Sequence, residues 1–119
     1  MLVSATDSVA AALGGALDGL ALRQRVAADN IANMDTPGFT AATVDFESSL
    51  RSALADGQVG AADVVPATGL SAAPKGANGN NVDLSSETMT AMQSVFQYQL
   101  LTRAVGDRYS LITTAIGGM

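Results

Sequence analysis

A chain of 119 residues has room for one domain, and 48% of this one is apolar. Aromatics are only 4%, and much of the apolar share is alanine, which buries little area against a backbone ordering cost of about 1–2 kcal/mol per residue. A net charge of −5 and the absence of Cys and His exclude disulfides, thiolate metal sites and imidazole chemistry, and argue against binding to nucleic acid or an anionic membrane surface.

At the N-terminus, Met1 to Leu13 lacks a basic segment, and Ser4, Thr6, Asp7 and Ser8 interrupt any apolar run. The sequence therefore predicts no cleaved signal peptide. No apolar stretch is long enough to cross a bilayer, so no direct membrane insertion is expected.

Residues 5–34 are rich in Ala and Leu, contain no Pro and predict a long helix. Ala10, Leu13, Leu17, Leu20, Gln24, Ala27, Ile31 and Met34 are spaced alternately three and four apart, as in the a/d seam of a coiled coil. Ser4 or Thr6 is placed to cap the helix, with Asp7 favourable in its first turn. Gly14, Gly15 and Gly19 lie inside it, each costing about 1 kcal/mol against Ala in an exposed helix. Small residues also let another helix approach closely.

The helix runs into Asn30-Ile31-Ala32-Asn33-Met34-Asp35-Thr36-Pro37-Gly38-Phe39. Asn33 suits a left-handed residue at a helix C-terminus, and Pro37-Gly38 fits the central positions of a type II turn. Phe39 can then pack back on the helix end. Beyond it, Val44, Phe46 and Ser48 alternate with Asp45 and Glu47, as in a short strand, while Ser48 to Leu54 also suits a helical turn. Residues 55–81 hold five Gly and two Pro and read as a flexible loop.

Residues 83–116 predict a second long helix, capped by Asp83 or Ser85 and ended by Gly117-Gly118. One stripe is formed by Ala91, Val95, Tyr98, Thr102, Val105, Tyr109, Ile112 and Ile116. A second, formed by Met89, Met92, Phe96, Leu100, Ala104 and Leu111, lies on another side. One stripe serves a helical hairpin, whereas two require a helix covered on two sides. At about 1.5 Å per residue each helix reaches roughly 45–50 Å. The division is thus a helical unit, residues 1–34 plus 83–119, with a turn, extended segment and loop in 35–82.

Catalysis finds no support. Asp45 and Glu47 could share a strand face as paired carboxylates, yet no His, Lys or Tyr is near in sequence, and a solvated acidic face is the plainer reading. Gly76 to Asn81 is Gly-rich but lacks the Lys and Ser/Thr of a phosphate loop. No cofactor, metal or catalytic residue is expected.

The motif Asn30-Ile31-Ala32-Asn33, then Asp35-Thr36-Pro37-Gly38-Phe39, resembles the signature of the bacterial flagellar basal-body rod, hook and hook-associated protein family. Leu22-Arg23-Gln24-Arg25-Val26, Val44-Asp45-Phe46-Glu47 and Gly79-Asn80-Asn81-Val82-Asp83-Leu84 resemble its proximal-rod branch. So do Tyr98-Gln99, Asp107-Arg108-Tyr109-Ser110-Leu111 and Thr114-Ala115-Ile116. The likeness spans residues 17–50 and 79–117 and leaves the middle unmatched. It implies a mainly α fold whose terminal helices pair as an antiparallel coiled coil around a short β or irregular insert.

The resemblance further implies a structural subunit of an axial shaft. Such a subunit transmits torque, encloses the export channel and lies outside the inner membrane after type III export without a cleaved signal. Its partners would be copies of itself, other rod subunits, the rod-to-ring adaptor and the export gate. Phe46 and Leu50, four apart, resemble an export-gate recognition pair; a plain hydrophobic pair on a helical turn is the alternative. Leu13, Leu17, Leu20, Ala27, Ile31, Met34, Val95, Phe96, Tyr98, Val105, Tyr109, Ile112 and Ile116 are the expected packing and interface residues. Competing readings are another axial subunit (a second proximal rod, distal rod or hook protein) and a secreted helical-hairpin adaptor. A peptidoglycan hydrolase is the least supported class.

Overall fold

The computed structural model describes residues 2–55 and 64–117, with side chains from Val9 onward except at 109, 111–113, 115 and 116. The order is α1 (Leu2–Ala32), β1 (Ala42–Asp45), α2 (Glu47–Ala55), β2 (Ala67–Leu70) and α3 (Leu84–Gly117). The two terminal helices pack on one another and run in opposite directions, giving an elongated molecule 66 × 26 × 14 Å.

α1 forms because its 31 residues contain no Pro and are dominated by Ala and Leu, strong helix formers. It begins at Leu2, so Ser4 and Thr6 lie within the helix and not at its cap. Its end is also not the left-handed stop expected at Asn33: among the described residues only Gly38 and Gly79 have positive φ. The last turn tightens instead. Asn33 N donates to both Asp29 O and Asn30 O, and Met34 N donates to Ile31 O. The Asn33 side chain then donates from Nδ2 to Asp29 O (2.8 Å) and accepts from Thr36 Oγ1 (3.1 Å), which favours the right-handed backbone.

β1 and β2 pair antiparallel, Ala42 opposite Leu70 and Asp45 opposite Ala67. β2 lies in the stretch whose composition reads as loop. Its sequence, Ala-Thr-Gly-Leu, is exposed throughout and carries no alternating pattern, so its pairing comes from β1. β1 stops at Asp45 because Asp45 turns the chain: its carboxylate accepts from Ser48 N (3.0 Å) and Ser48 Oγ (2.7 Å). The helical alternative therefore holds from Glu47 onward.

α3 is capped by Asp83, whose Oδ1 accepts from Ser85 N (3.0 Å). The core lies in two small clusters along α1. Ala16 and Leu20 meet Phe46, with Leu50 and Leu101 against them; Ala12 meets Ala53 and Val64. A Cβ on Gly15 would lie 2.6 Å from Val64 Cβ, and one on Gly19 would overlap the Phe46 ring. These two glycines are thus the floor on which the insert sits. Filling that space with Phe46 contributes about 1.5–3 kcal/mol, more than the helix loses to each glycine.

Candidate functional site

Two features stand out once the hairpin is in place: a polar clamp at its closed end and an uncovered face on α3. The clamp joins the ten-residue motif to Asn78–Asn81, segments far apart in sequence. Thr36-Pro37-Gly38-Phe39 is a type II turn, with Phe39 N donating to Thr36 O (3.2 Å) and Gly38 at φ +76°. Gly38 N donates to Asn78 O (2.9 Å), and a Cβ on Gly79 would sit 3.3 Å from Gly38 Cα. Glycine is favoured at both positions by their positive φ, and at Gly79 by the close approach as well.

Three buried asparagines hold the clamp, each presenting a donor and an acceptor to main chain. Asn80 Nδ2 donates to Asn33 O and Thr36 O (both 2.8 Å), while its Oδ1 accepts from Val82 N (2.7 Å). Asn81 Oδ1 accepts from Ala41 N (2.6 Å), and its Nδ2 donates to Ser71 O and Ala73 O (both 3.2 Å). Asn30, 1% exposed, donates from Nδ2 to Ala42 O (2.9 Å) and accepts from Ala42 N (3.0 Å), as a neighbouring strand would. Among the described residues no buried side-chain polar atom lacks a partner.

One heptad before Asn30, Arg23 secures the other half of β1. Its guanidinium forks onto Glu47 (2.6 and 2.8 Å), donates to Val44 O (2.7 Å) and stacks 4.8 Å from the Phe46 ring centroid. The Arg23 hydrogen bond holds the Glu47 carboxyl below its ordinary value, and the Ser48 hydroxyl and amide do the same for Asp45. The two carboxylates are therefore structural ties, one bound to α1 and the other to the first turn of α2. Both stay ionised at neutral pH, so neither is poised as a general acid.

The expected interface residues divide by burial. Leu20 and Ala27 are buried within the hairpin; Leu13, Leu17, Ile31 and Val105 are half-buried, and Met34 is exposed. Val95 and Tyr98 are 44 and 38% exposed. The most buried α3 residue among those described is Ser94, 1% exposed, whose hydroxyl donates to Thr90 O (2.8 Å). The side chains of Tyr109, Ile112 and Ile116 lie outside the described residues. Of the motif, Asn30 is buried, Ile31, Asn33 and Phe39 are half-buried, and Ala32, Asp35, Thr36, Pro37 and Gly38 are exposed.

On the side of α3 turned away from α1, Met89, Met92, Phe96 and Leu100 are 61, 68, 62 and 50% exposed. Spaced three or four apart, they form one continuous stripe. Leu84 extends it to the start of the helix. Contiguous exposed apolar patches are the kind of surface by which proteins meet other molecules. Phe46 and Leu50, by contrast, are packed into the core, joined by the Leu50 N to Phe46 O bond (2.9 Å) that opens α2.

Residue-level reading of the sequence missed Arg23, Asn80, Asn81, Gly15 and Gly19 as anchors. The signal available was a polar residue on the apolar side of α1 and paired asparagines before a helix cap. Among the described residues no cluster of metal-ligating side chains is present, and no helix is long and apolar enough to cross a membrane.

A helical hairpin clamped at one end, with its large apolar side chains left outward on one helix, is a building block of an assembly. The profile of the family described as Flagella basal body rod protein matches residues 12–40, from the small-residue face of α1 through the turn. A flagellar basal body rod protein FlgB from Borrelia hermsii is 33% identical over 120 residues, covering 84% of this chain and 89% of the relative. Those of Bacillus subtilis strain 168 and Escherichia coli K12 are 30% and 32% identical, covering 91% and 81% of the relatives. The chain belongs to the FlgB family of flagellar basal body rod proteins, a structural and non-enzymatic family.

Proposed function

We propose that this chain is a subunit of the proximal rod that assembles helically, its hairpin standing in the wall of the axial shaft. The observation that carries the reading is the outward stripe of Met89, Met92, Phe96 and Leu100. Covering such side chains contributes about 1.5–3 kcal/mol each, enough for several contacts per subunit to drive lateral association. Repeated head-to-tail contacts related by a rotation that does not close generate a helical filament. The shaft so built transmits torque and encloses the channel through which later subunits pass.

In this reading the partners are further copies, other axial subunits, the rod-to-ring adaptor and the export gate. The subunit reaches its place outside the inner membrane by the flagellar type III route. Phe46 and Leu50 act in recognition by the gate only while the chain is unfolded, since folding buries Phe46 and packs the half-buried Leu50 against the same cluster.

The chain has no native Cys, so Met92→Cys introduces a unique thiol on the stripe. A tagged M92C protein is expected in purified basal bodies, crosslinked to axial neighbours through that thiol. Retention in the cell interior, or a thiol in basal bodies that stays freely reactive and uncrosslinked, would overturn the proposal.

A further inference from the structure

Asn78-Gly79 is the sole Asn-Gly pair in the sequence, and it lies inside the clamp. This dipeptide is chemically labile because glycine, lacking Cβ, leaves its amide nitrogen open to attack the asparagine side chain. The Gly79 nitrogen loses its proton to hydroxide and forms a bond to Asn78 Cγ; the side-chain nitrogen leaves as ammonia. Water then opens the cyclic imide at either carbonyl, giving aspartate or isoaspartate.

The fold opposes each part of that step. Gly79 N–H donates to Gly76 O (2.9 Å), which holds the proton that must leave. Asn78 Oδ1 accepts from Asn80 N (3.2 Å), which turns the side-chain carbonyl to the residue beyond its attacker. Asn78 O accepts from Gly38 N (2.9 Å), and Gly79 is held at φ +78° against Gly38, so the peptide between them cannot swing freely.

We propose that Asn78 is a spontaneous deamidation site that the clamp keeps closed. The site reacts when the motif and Asn78–Asn81 part, and is silent while they are joined. The modification is also self-sealing. Isoaspartate routes the main chain through Cβ, which displaces the Asn78 carbonyl from Gly38 N, and even a Cβ added at Gly79 would already lie 3.3 Å from Gly38 Cα. A chain that dwells unfolded thus loses the clamp, whereas a folded one keeps it. This chemistry is independent of the assembly role.

The full-length chain is incubated at neutral pH in native buffer and in urea, and the peptide between Lys75 and Arg103 is followed by mass spectrometry with isoaspartate detection. Conversion at Asn78 is expected about tenfold slower in native buffer, the factor given by an opening cost of about 1.4 kcal/mol. Asn80→Ala, which removes the bonds to Asn33 O and Thr36 O, should bring the native rate up to the urea rate. Glu47→Gln, which loosens the insert at the Arg23 tie, should stay slow. Equal rates in native buffer and urea would overturn the proposal. So would an Asn80→Ala chain as slow as the parent, or a Glu47→Gln chain as fast as Asn80→Ala.

Discussion

Asn30 and Arg23 lie two turns apart on α1, and between them they satisfy the edge of β1 that β2 leaves free. Asn30 takes both polar groups of Ala42, and Arg23 takes the carbonyl of Val44. Asparagine alone among residues of its size offers a planar donor and acceptor side by side, which explains its place in the motif better than its helix propensity does. Asn30→Ala leaves those groups unpaired near the core and should cost about 1–3 kcal/mol, read as a lower urea midpoint. Gly19→Val tests the opposite kind of fit. Its side chain enters the space of the Phe46 ring, so despite a better helix former the chain should lose about 1–3 kcal/mol in the same measurement.

Between elements, the tie from α1 to the start of α2 depends on the ionised Glu47. Its folded value lies below the ordinary 4.5, so the tie is fully present above that pH and is lost as pH falls through the lower folded value. Urea midpoints should therefore fall on acidification below about 4.5, and Glu47→Gln should flatten that decline while lowering the midpoint at neutral pH by about 1 kcal/mol or less.

How much of this was legible varies with the element. Both terminal helices, the type II turn and the Asp83 cap follow from local chemistry: propensity over long windows, a Pro-Gly pair and a carboxylate before an amide row. β2 was not legible, since Ala67 to Leu70 carry no alternation and gain their pairing from a distant strand. Nor was the inward side of α3. Its inward side carries buried Ser94 and half-buried Leu101, the latter packed against the cluster of Leu20 and Phe46, and neither residue belongs to either apolar stripe. The asparagine clamp was visible only as a family signature until its partners, some 40 residues away, were brought beside it.

For the molecule as a whole, the division of labour between the helix faces is the central point. α1 gives its small residues, Ala12, Gly15, Ala16 and Gly19, to its own insert, while α3 keeps its larger side chains outward. Phe46, Leu50 and Val64 then belong to the stability of the subunit, and Met89, Met92, Phe96 and Leu100 to the contacts proposed with its neighbours. Substitutions in the first set should lower the unfolding midpoint, whereas those in the second should leave it nearly unchanged.

The most direct measurement is the incorporation of a Met92→Asp, Phe96→Asp double variant into basal bodies, with its unfolding midpoint recorded in parallel. The variant is expected to fold with an unaltered midpoint, remain soluble and be missing from the rod, leaving cells non-motile. Normal incorporation and swimming, with two carboxylates standing where the apolar stripe had been, would contradict the claim that neighbouring subunits cover this face.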